Sequence, residues 1–333
     1  MPTIKDVARL AGVSVATVSR VLNNNGYVNI DTKQKVDEAI AKLHYRPNGV
    51  ARGLAGKKTA TIALILPDIS NPFFPEMARG VEDVASDLGY TVILCNSDDQ
   101  GDKEKSYIEI LKQKFIDGLI FASHTLQPDD IKHISNNGIA MVVLDRAPAA
   151  DGYCLVRSKN QEGAKLAVQH LLDMGCQKIA HIYGPRETIT AQERLMGYEE
   201  MVKDLPWYSP SLMVPGNFSL DSGALAVEQL LERHPDVDGI FAANDLMAVG
   251  ALKKLMKLGI RVPDQIALCG FDGINLTEII EPELSTIAQP IYDMGATAAR
   301  LLINKIEGKT LDDQVVEMDV QLLTRQSTNR KGR

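Results

Sequence analysis

Apolar residues recur along this chain with two different periods, and the change falls near residue 60. Before it, spacings of three and four dominate. Ile4, Val7, Ala8 and Leu10 form one set, and Val18, Val21 and Leu22 a second, on either side of Ala11-Gly12-Val13. The pattern predicts two short helices facing each other across a turn. Thr3, with Asp6 three residues on, would cap the first, and Ser14 the second. A third helix is expected over 31–43 from Val36, Ile40 and Leu43, and Pro47 disfavours helix at Arg46. Residues 48–56 could form a further short helix, but they hold Gly49, Gly53 and Gly56, each costing about 1 kcal/mol in a helix interior. The expectation there is a linker that orders only against a partner.

From Thr61 onward, short apolar runs alternate with amphipathic stretches. Strands are expected at TIALIL (61–66), TVILC (91–95), GLIFA (118–122), MVVLD (141–145), KIAHIY (178–183), GIFAA (239–243) and IALCGF (266–271). Helices are expected over 74–88, 163–174, 223–232 and 246–258. This alternation implies parallel sheets covered on both faces, and about 270 residues of it imply two α/β lobes. The acidic stretch 97–104 reads as a solvated loop, and the polar, basic end 324–333 as frayed.

Charge sharpens the division. Residues 1–58 hold ten Lys and Arg against four acids, a net +6 in a chain whose total is −7, so the remainder carries −13. A basic helical head on an acidic body is the electrostatic footprint of a nucleic-acid binder. In a helix-turn-helix the second helix enters the major groove while the first crosses the backbone. An ordinary αα-hairpin shares the apolar pattern but does not predict the charge split. The body is of ordinary globular composition, 45% hydrophobic and 24% charged. No run approaches the roughly 18 apolar residues of a membrane span, and the N-terminus offers no apolar signal core. The expectation is a cytoplasmic protein with no membrane partner. Cys95, Cys154, Cys176 and Cys269 are scattered and read as reduced core thiols. The six histidines lack ligand spacing, so no metal is expected, and neither a P-loop nor a GxSxG is present.

Polar and aromatic residues gather at the expected strand ends. Asn71, Phe73 and Phe74 follow the first strand, and Asp145-Arg146 end the MVVLD strand. Asn244 follows GIFAA, Asp272 follows IALCGF, and Gln289 lies between STIA and Pro290. Arg194 falls in a helix after KIAHIY, and Phe218 in a loop before another helix. Singly, each serves equally well as a cap or ion pair. Together they have the chemistry of a sugar site: aromatic faces for the C–H surface, and planar amide, carboxylate and guanidinium groups for hydroxyls. Phe73 and Phe74, on opposite sides of an extended segment, would not both enter one core. Arg146 and Arg194 balance Asp145 and Asp272, which suits a neutral ligand. An enzyme would need a positioned general base besides, so no catalytic residue is expected.

The motifs TIKDVARLAGVSVATVSRVLN, YRPNGVARGLAGKKT, PDISNPFF, FDG and STIAQP occur together, and over residues 2–328 the chain resembles the LacI/GalR family of bacterial repressors. The resemblance implies an N-terminal all-α helix-turn-helix head (1–47), a hinge helix or linker (48–59) and a two-lobed α/β core like the periplasmic binding proteins (60–333). The lobes would be about 60–159 with 290–317, and 160–289 with 318–333. It places Val15, Ala16, Thr17 and Arg20 as DNA contacts, and Leu54 as a wedge in the minor groove. The pattern NPFF, LDR, QER, NF, AND, GFDG and IAQP is similar to that of periplasmic ribose-binding proteins. It implies Asn71, Phe73, Phe74, Asp145, Arg146, Arg194, Phe218, Asn244, Asp272 and Gln289 as contacts to D-ribose acting as inducer. Operator DNA, a sugar and a second copy are the implied partners, with no cofactor. Another pentose or hexose, or a phosphocarrier protein as co-repressor, stays open. Arg157-Ser158-Lys159-Asn160 stands where the family more usually has a Ser-Asp-Asn turn between lobes. The competing readings are a transport-associated sugar-binding protein and a sugar-metabolising enzyme. The basic head argues against the first, and the absent general base against the second.

Overall fold

A computed structural model of the chain describes residues 2–22, 26–45, 59–113, 116–122, 134, 139–145, 153–309 and 315–330. Leu54, Arg146 and all of the expected linker except Thr59 lie outside the described residues. The chain divides into two compact units at Thr59/Ala60.

In the first unit, α1 (Ile4–Ala11) and α2 (Val15–Leu22) flank the turn at Gly12, whose φ of +67° only a glycine adopts at low cost. α3 (Ile30–Leu43) closes the trio. The Thr3 N–H and hydroxyl both donate to the Asp6 carboxylate, at 2.9 and 2.7 Å, and the Ser14 hydroxyl accepts the Thr17 N–H at 3.1 Å. Val7, Ala8, Val18, Val21, Val36 and Ala39 form the core. Leu10, expected to face inward, is 46% exposed. Ala11 completes the i, i+3, i+4, i+7 set begun at Ile4, which turns residue 10 outward.

The second unit opens with β1 (Thr61–Leu66), α4 (Phe73–Asp87), β2 (Thr91–Asn96), α5 (Gly101–Gln113), β3 (Gly118–Phe121), β4 (Ala140–Leu144) and β5 (Cys154–Ser158). It continues with α6 (Asn160–Asp173), β6 (Ile179–Tyr183), α7 (Ile189–Val202), β7 (Met213–Pro215), α8 (Leu220–Arg233), β8 (Gly239–Ala242), α9 (Asp245–Lys257) and β9 (Ala267–Asp272). α10 (Leu276–Ile279), β10 (Ser285–Ala288), α11 (Ile291–Glu307), β11 (Val315–Met318) and β12 (Gln321–Leu323) complete it. Among the described residues these form two sheets, ordered β11-β5-β4-β3-β1-β2 and β12-β10-β9-β8-β6-β7. All pairs are parallel except β10 with β12. Successive side chains of a strand serve opposite faces. Ile62, Leu64 and Leu66 thus meet α4 and α11, while Ala63 and Ile65 meet Ile108 and Leu111 of α5. The helices pack closely at glycines: a Cβ on Gly295 would sit 2.0 Å from the Met77 carbonyl, and one on Gly80 2.1 Å from that of Tyr292.

The chain passes between the two sheets three times, at 158–160, 288–291 and 318–321. Both sheets therefore point their strand carboxyl ends toward a common cleft, where such folds bind ligands.

Four further sequence expectations are corrected. Phe73 and Phe74 do not flank an extended segment: both lie within the helix expected from residue 74, α4, with Pro75 in the first turn, where a missing N–H costs nothing. Their rings meet edge to face at 5.1 Å, and both join one core. The loop at 97–104 ends at Gln100, and Glu104 is buried in α5. Strands β5, β7, β11 and β12 were not expected. The end of the chain is not frayed up to Arg330. Ser327 donates its hydroxyl to the Leu268 carbonyl (2.6 Å) and accepts the Ser285 N–H (2.8 Å). Thr328 bridges Ser285 and His170, each at 2.7 Å, and Arg330 pairs with Asp238 at 3.2 Å.

His181 sits inside lobe two between the rings of Tyr198 and Phe241, its Nδ1 2.9 Å from the Phe241 carbonyl. Burial, opposed only in part by that carbonyl, holds its pKa down at about 3. The unfolded chain takes up this proton near pH 6.5, the folded chain only near 3. Stability is therefore full above pH 6.5 and is lost as pH falls toward 3, by up to a few kcal/mol. Urea unfolding at pH 7.5, 6 and 5 is expected to show this acid slope, and His181→Leu to reduce it, with His170 and His234, whose pKa values burial also lowers, supplying part of the rest.

Candidate functional site: an inter-lobe cavity and an exposed helix

A cavity of about 260 Å³ lies in the cleft, lined by Asn71, Phe73, Phe74, Asp145, Thr190, Arg194, Phe218, Asn244 and Asp272. Eight of these nine residues were expected from the sequence. Gln289 stands one step back: its amide donates to Asp272 at 2.8 Å, and its buried Oε1 has no partner among the described residues. Arg146, the tenth, lies outside the described residues. Thr190 was missed, although it lies four residues before Arg194 on α7 and so shares its face.

The lining side chains are held by the ends of the elements that carry them. Asn71 accepts the Phe73 N–H at 3.1 Å to start α4, leaving its amide N–H groups for the cavity. Asn244 caps α9 through the Met247 N–H (2.9 Å) and donates to the Phe218 carbonyl (3.1 Å). It therefore serves as a cap as well as a cavity wall. Asp145, Phe218 and Asp272 adopt φ of +63°, +67° and +121°, which non-glycine residues rarely occupy and which cluster where function fixes the backbone. The Phe218 ring lies over Gly184, where a Cβ would come within 2.4 Å of it, so only glycine fits beneath.

Arg194 is the best-anchored group. It is buried, its Nε donates to Asn160 Oδ1 (2.9 Å), and its Nη1 donates to the Ala243 carbonyl (2.6 Å) and Asp272 (3.3 Å). The guanidinium lies 3.8 Å from the centre of the Phe271 ring. Nη2 takes part in none of these bonds and is left for whatever enters. The balance of two arginines against two aspartates read from the sequence omitted Asp245. This third acid is buried behind Asp272, accepting from Thr286 (2.6 Å), Gly273 (2.7 Å) and Ile274 (3.0 Å). Burial, joined by the charge of Asp272, pushes its carboxyl well above the usual carboxylate range despite those donors. A wall so rich in acids favours hydroxyls over an added anion.

In the head, Val18 and Val21 of α2 are buried, while Val15 (41% exposed), Ala16 and Arg20 look outward. The Thr17 hydroxyl, half-buried, lies 2.9 Å from that of Ser14, so part of its bonding closes the helix start. No helix among the described residues is long and apolar enough to cross a membrane, and none of their side chains cluster as a metal site. All four cysteines are buried and free.

Comparison with known proteins matches these two units to two family descriptions. Residues 3–48 fit "Bacterial regulatory proteins, lacI family", and 59–326 fit "Periplasmic binding proteins and sugar binding domain of LacI family". The chain belongs to the LacI family. It is a DNA-binding transcriptional repressor with a sugar-binding core, and not an enzyme. The ribose operon repressor of Halalkalibacterium halodurans is 47% identical over 328 residues, 98% of this chain and 97% of that one. Among solved structures, the Lac repressor dimer bound to operator and the anti-inducer ONPF superposes with a TM-score of 0.86 at 27% identity, over 98% of this chain and 99% of that one. A LacI family regulator from Enterococcus faecium with bound ribose gives 0.74 at 31% identity, over 80% and 98%.

Proposed function

We propose that this family member is a homodimer that holds a palindromic operator and releases it when D-ribose fills the cavity. The observation that carries the reading is the lining of the cavity: two phenylalanines at one helix start, a third on a strained loop, and Asp145, Asp272, Asn71, Asn244 and Arg194 converging on one shared space. Flat aromatic faces suit the C–H surface of a sugar ring, and the planar polar groups suit its hydroxyls. The likeness to a ribose operon repressor and to a regulator solved with ribose supports the choice of pentose. Asn71, Phe73, Phe74, Asp145, Arg146, Arg194, Phe218 and Asn244 would touch the sugar beside Asp272, with Gln289 steadying that aspartate. Val15, Ala16, Thr17 and Arg20 would meet the major groove, where Arg is the commonest partner of guanine and short apolar side chains suit thymine methyls. Leu54 would enter the minor groove. The units 1–47, 48–59 and 60–333 would then be reader, hinge and sensor.

The test is calorimetric titration of the full chain with ribose, ribose 5-phosphate, galactose and adenine, alongside fluorescence anisotropy on an operator duplex. Ribose should bind, and the duplex should be released over the same concentration range, since operator and sugar must weaken each other by one factor. Ribose 5-phosphate should bind more weakly. Tighter binding of the phosphate ester, or no heat with ribose, would overturn the assignment.

A further inference from the structure

We propose that Arg157 and Glu193, both outside the cavity, are positioning residues for Arg194, and that their ion pair ties the cavity's arginine to the join between the lobes. The inference rests on the reading above that a ligand meets Arg194.

Arg157 lies on β5 in the first sheet, and Glu193 on α7 in the other lobe. Arg157 Nη1 meets Glu193 Oε1 at 2.8 Å, while its Nε and Nη2 donate to Glu317 of β11 at 2.9 and 2.6 Å. The pair is only about one-fifth exposed, at 21% and 19%. One guanidinium therefore clamps a strand of one lobe and a helix of the other, beside the first passage of the chain between them. Lys159 reinforces the spot: its ammonium pairs with Asp319 at 2.6 Å, and its N–H donates to the Met318 carbonyl at 3.0 Å.

The link inward runs through one amide. Asn160 Nδ2 donates to Glu193 Oε2 (3.2 Å) and to the Ser158 carbonyl (3.0 Å), while its Oδ1 accepts from Arg194 Nε (2.9 Å). An asparagine side chain is nearly symmetrical in shape, and only polarity distinguishes its two ends. With two acceptors on one side and a guanidinium on the other, the amide has a single favourable orientation. Removing the Glu193 charge leaves Ser158 alone to fix it, and a turned amide would set N–H groups against Arg194. Arg157 in turn holds Glu193, whose carboxylate would otherwise swing to water. Glu193 and Arg194 are neighbours on α7, about 100° apart around the helix, so one faces the join and the other the cavity. Lobe position and arginine orientation are thereby one variable.

The experiment compares the full chain with Arg157→Met, Glu193→Gln, the double variant and Arg157→Lys. Ribose affinity is expected to fall about tenfold in each single variant, and no further in the double, because both break one chain of contacts. Arg157→Lys, which restores the charge opposite Glu193, should recover most of the loss. The Arg194 Nε–H resonance should shift in the Met and Gln variants even without ligand. A lowered melting temperature with ribose affinity unchanged, or additive losses in the double variant, would overturn the proposal. Failure of the unaltered chain to bind ribose would instead overturn the ribose reading. The Arg194 resonance then decides alone: unmoved, it refutes the positioning role.

Discussion

Arg194→Ala is expected to weaken sugar binding by a factor between about 30 and several thousand. Truncating one partner of a buried hydrogen-bonded charge pair costs roughly 2–5 kcal/mol. Here the cost falls on more than the ligand. Asp272 would lose the guanidinium that offsets it while still facing Asp245, and Asn160 Oδ1 and the Ala243 carbonyl would lose their donor. The same change should lower the core's stability by about 3–5 kcal/mol, the usual result of leaving a buried charge without its counterpart. Arg194→Lys should rescue little of the affinity, because an ammonium cannot serve Asn160, Ala243 and Asp272 from one plane or lie flat on Phe271. Calorimetry with ribose and thermal melts of the three proteins measure both effects. Affinity within threefold of the parent would show that the guanidinium does not meet the sugar.

Deleting residues 324–333 should prevent lobe two from reaching its native packing. The excised segment satisfies both the N–H and the carbonyl of Leu268, the N–H and hydroxyl of Ser285, and the ring nitrogen of His170. A buried polar group left without a partner costs about 1–3 kcal/mol. Five of them together rival the 5–15 kcal/mol that holds a typical domain folded. The truncated chain should be recovered insoluble or without a near-ultraviolet dichroism signal. Ser327→Ala, which removes two of these bonds, should fold with stability reduced by about 1–3 kcal/mol. A truncated core that melts where the parent does would refute the account.

This anchoring shows what the sequence could and could not disclose. The interior parallel strands, buried on both faces, were legible as unbroken apolar runs such as TIALIL and GIFAA, and so was their alternation with helices. Most of what was missed lies at sheet edges. β7, β11 and β12 are short, and VVEM alternates between exposed and half-buried, so no run stands out. The tail escaped for another reason. Its serine and threonine hydroxyls replace backbone partners deep in the lobe, and hydropathy scores a hydroxyl as polar wherever it points. In the cavity, residues at strand ends were legible because topology alone sends them to the cleft. Thr190 was not, because a lone threonine inside a helix carries no signal of its own, and Asn160, which sits behind the cavity, shows its role only through its contact with Arg194, 34 residues on.

The threefold passage of the chain between the sheets also governs how the protein can be made. The first lobe is begun by residue 61 but lacks α11, which covers Ile62, Leu64 and Leu66, until residue 307 has left the ribosome. At about 5–20 residues per second, the roughly 150 residues between the end of β5 and the end of α11 take on the order of ten seconds to synthesise. Throughout that interval one face of a nascent sheet has α4 but not α11 over it, and stays partly greasy while the whole of the second lobe is being spun out. Chaperone capture and protease nicking should therefore concentrate on the amino-terminal half of the core during translation, and vanish once the last strands arrive.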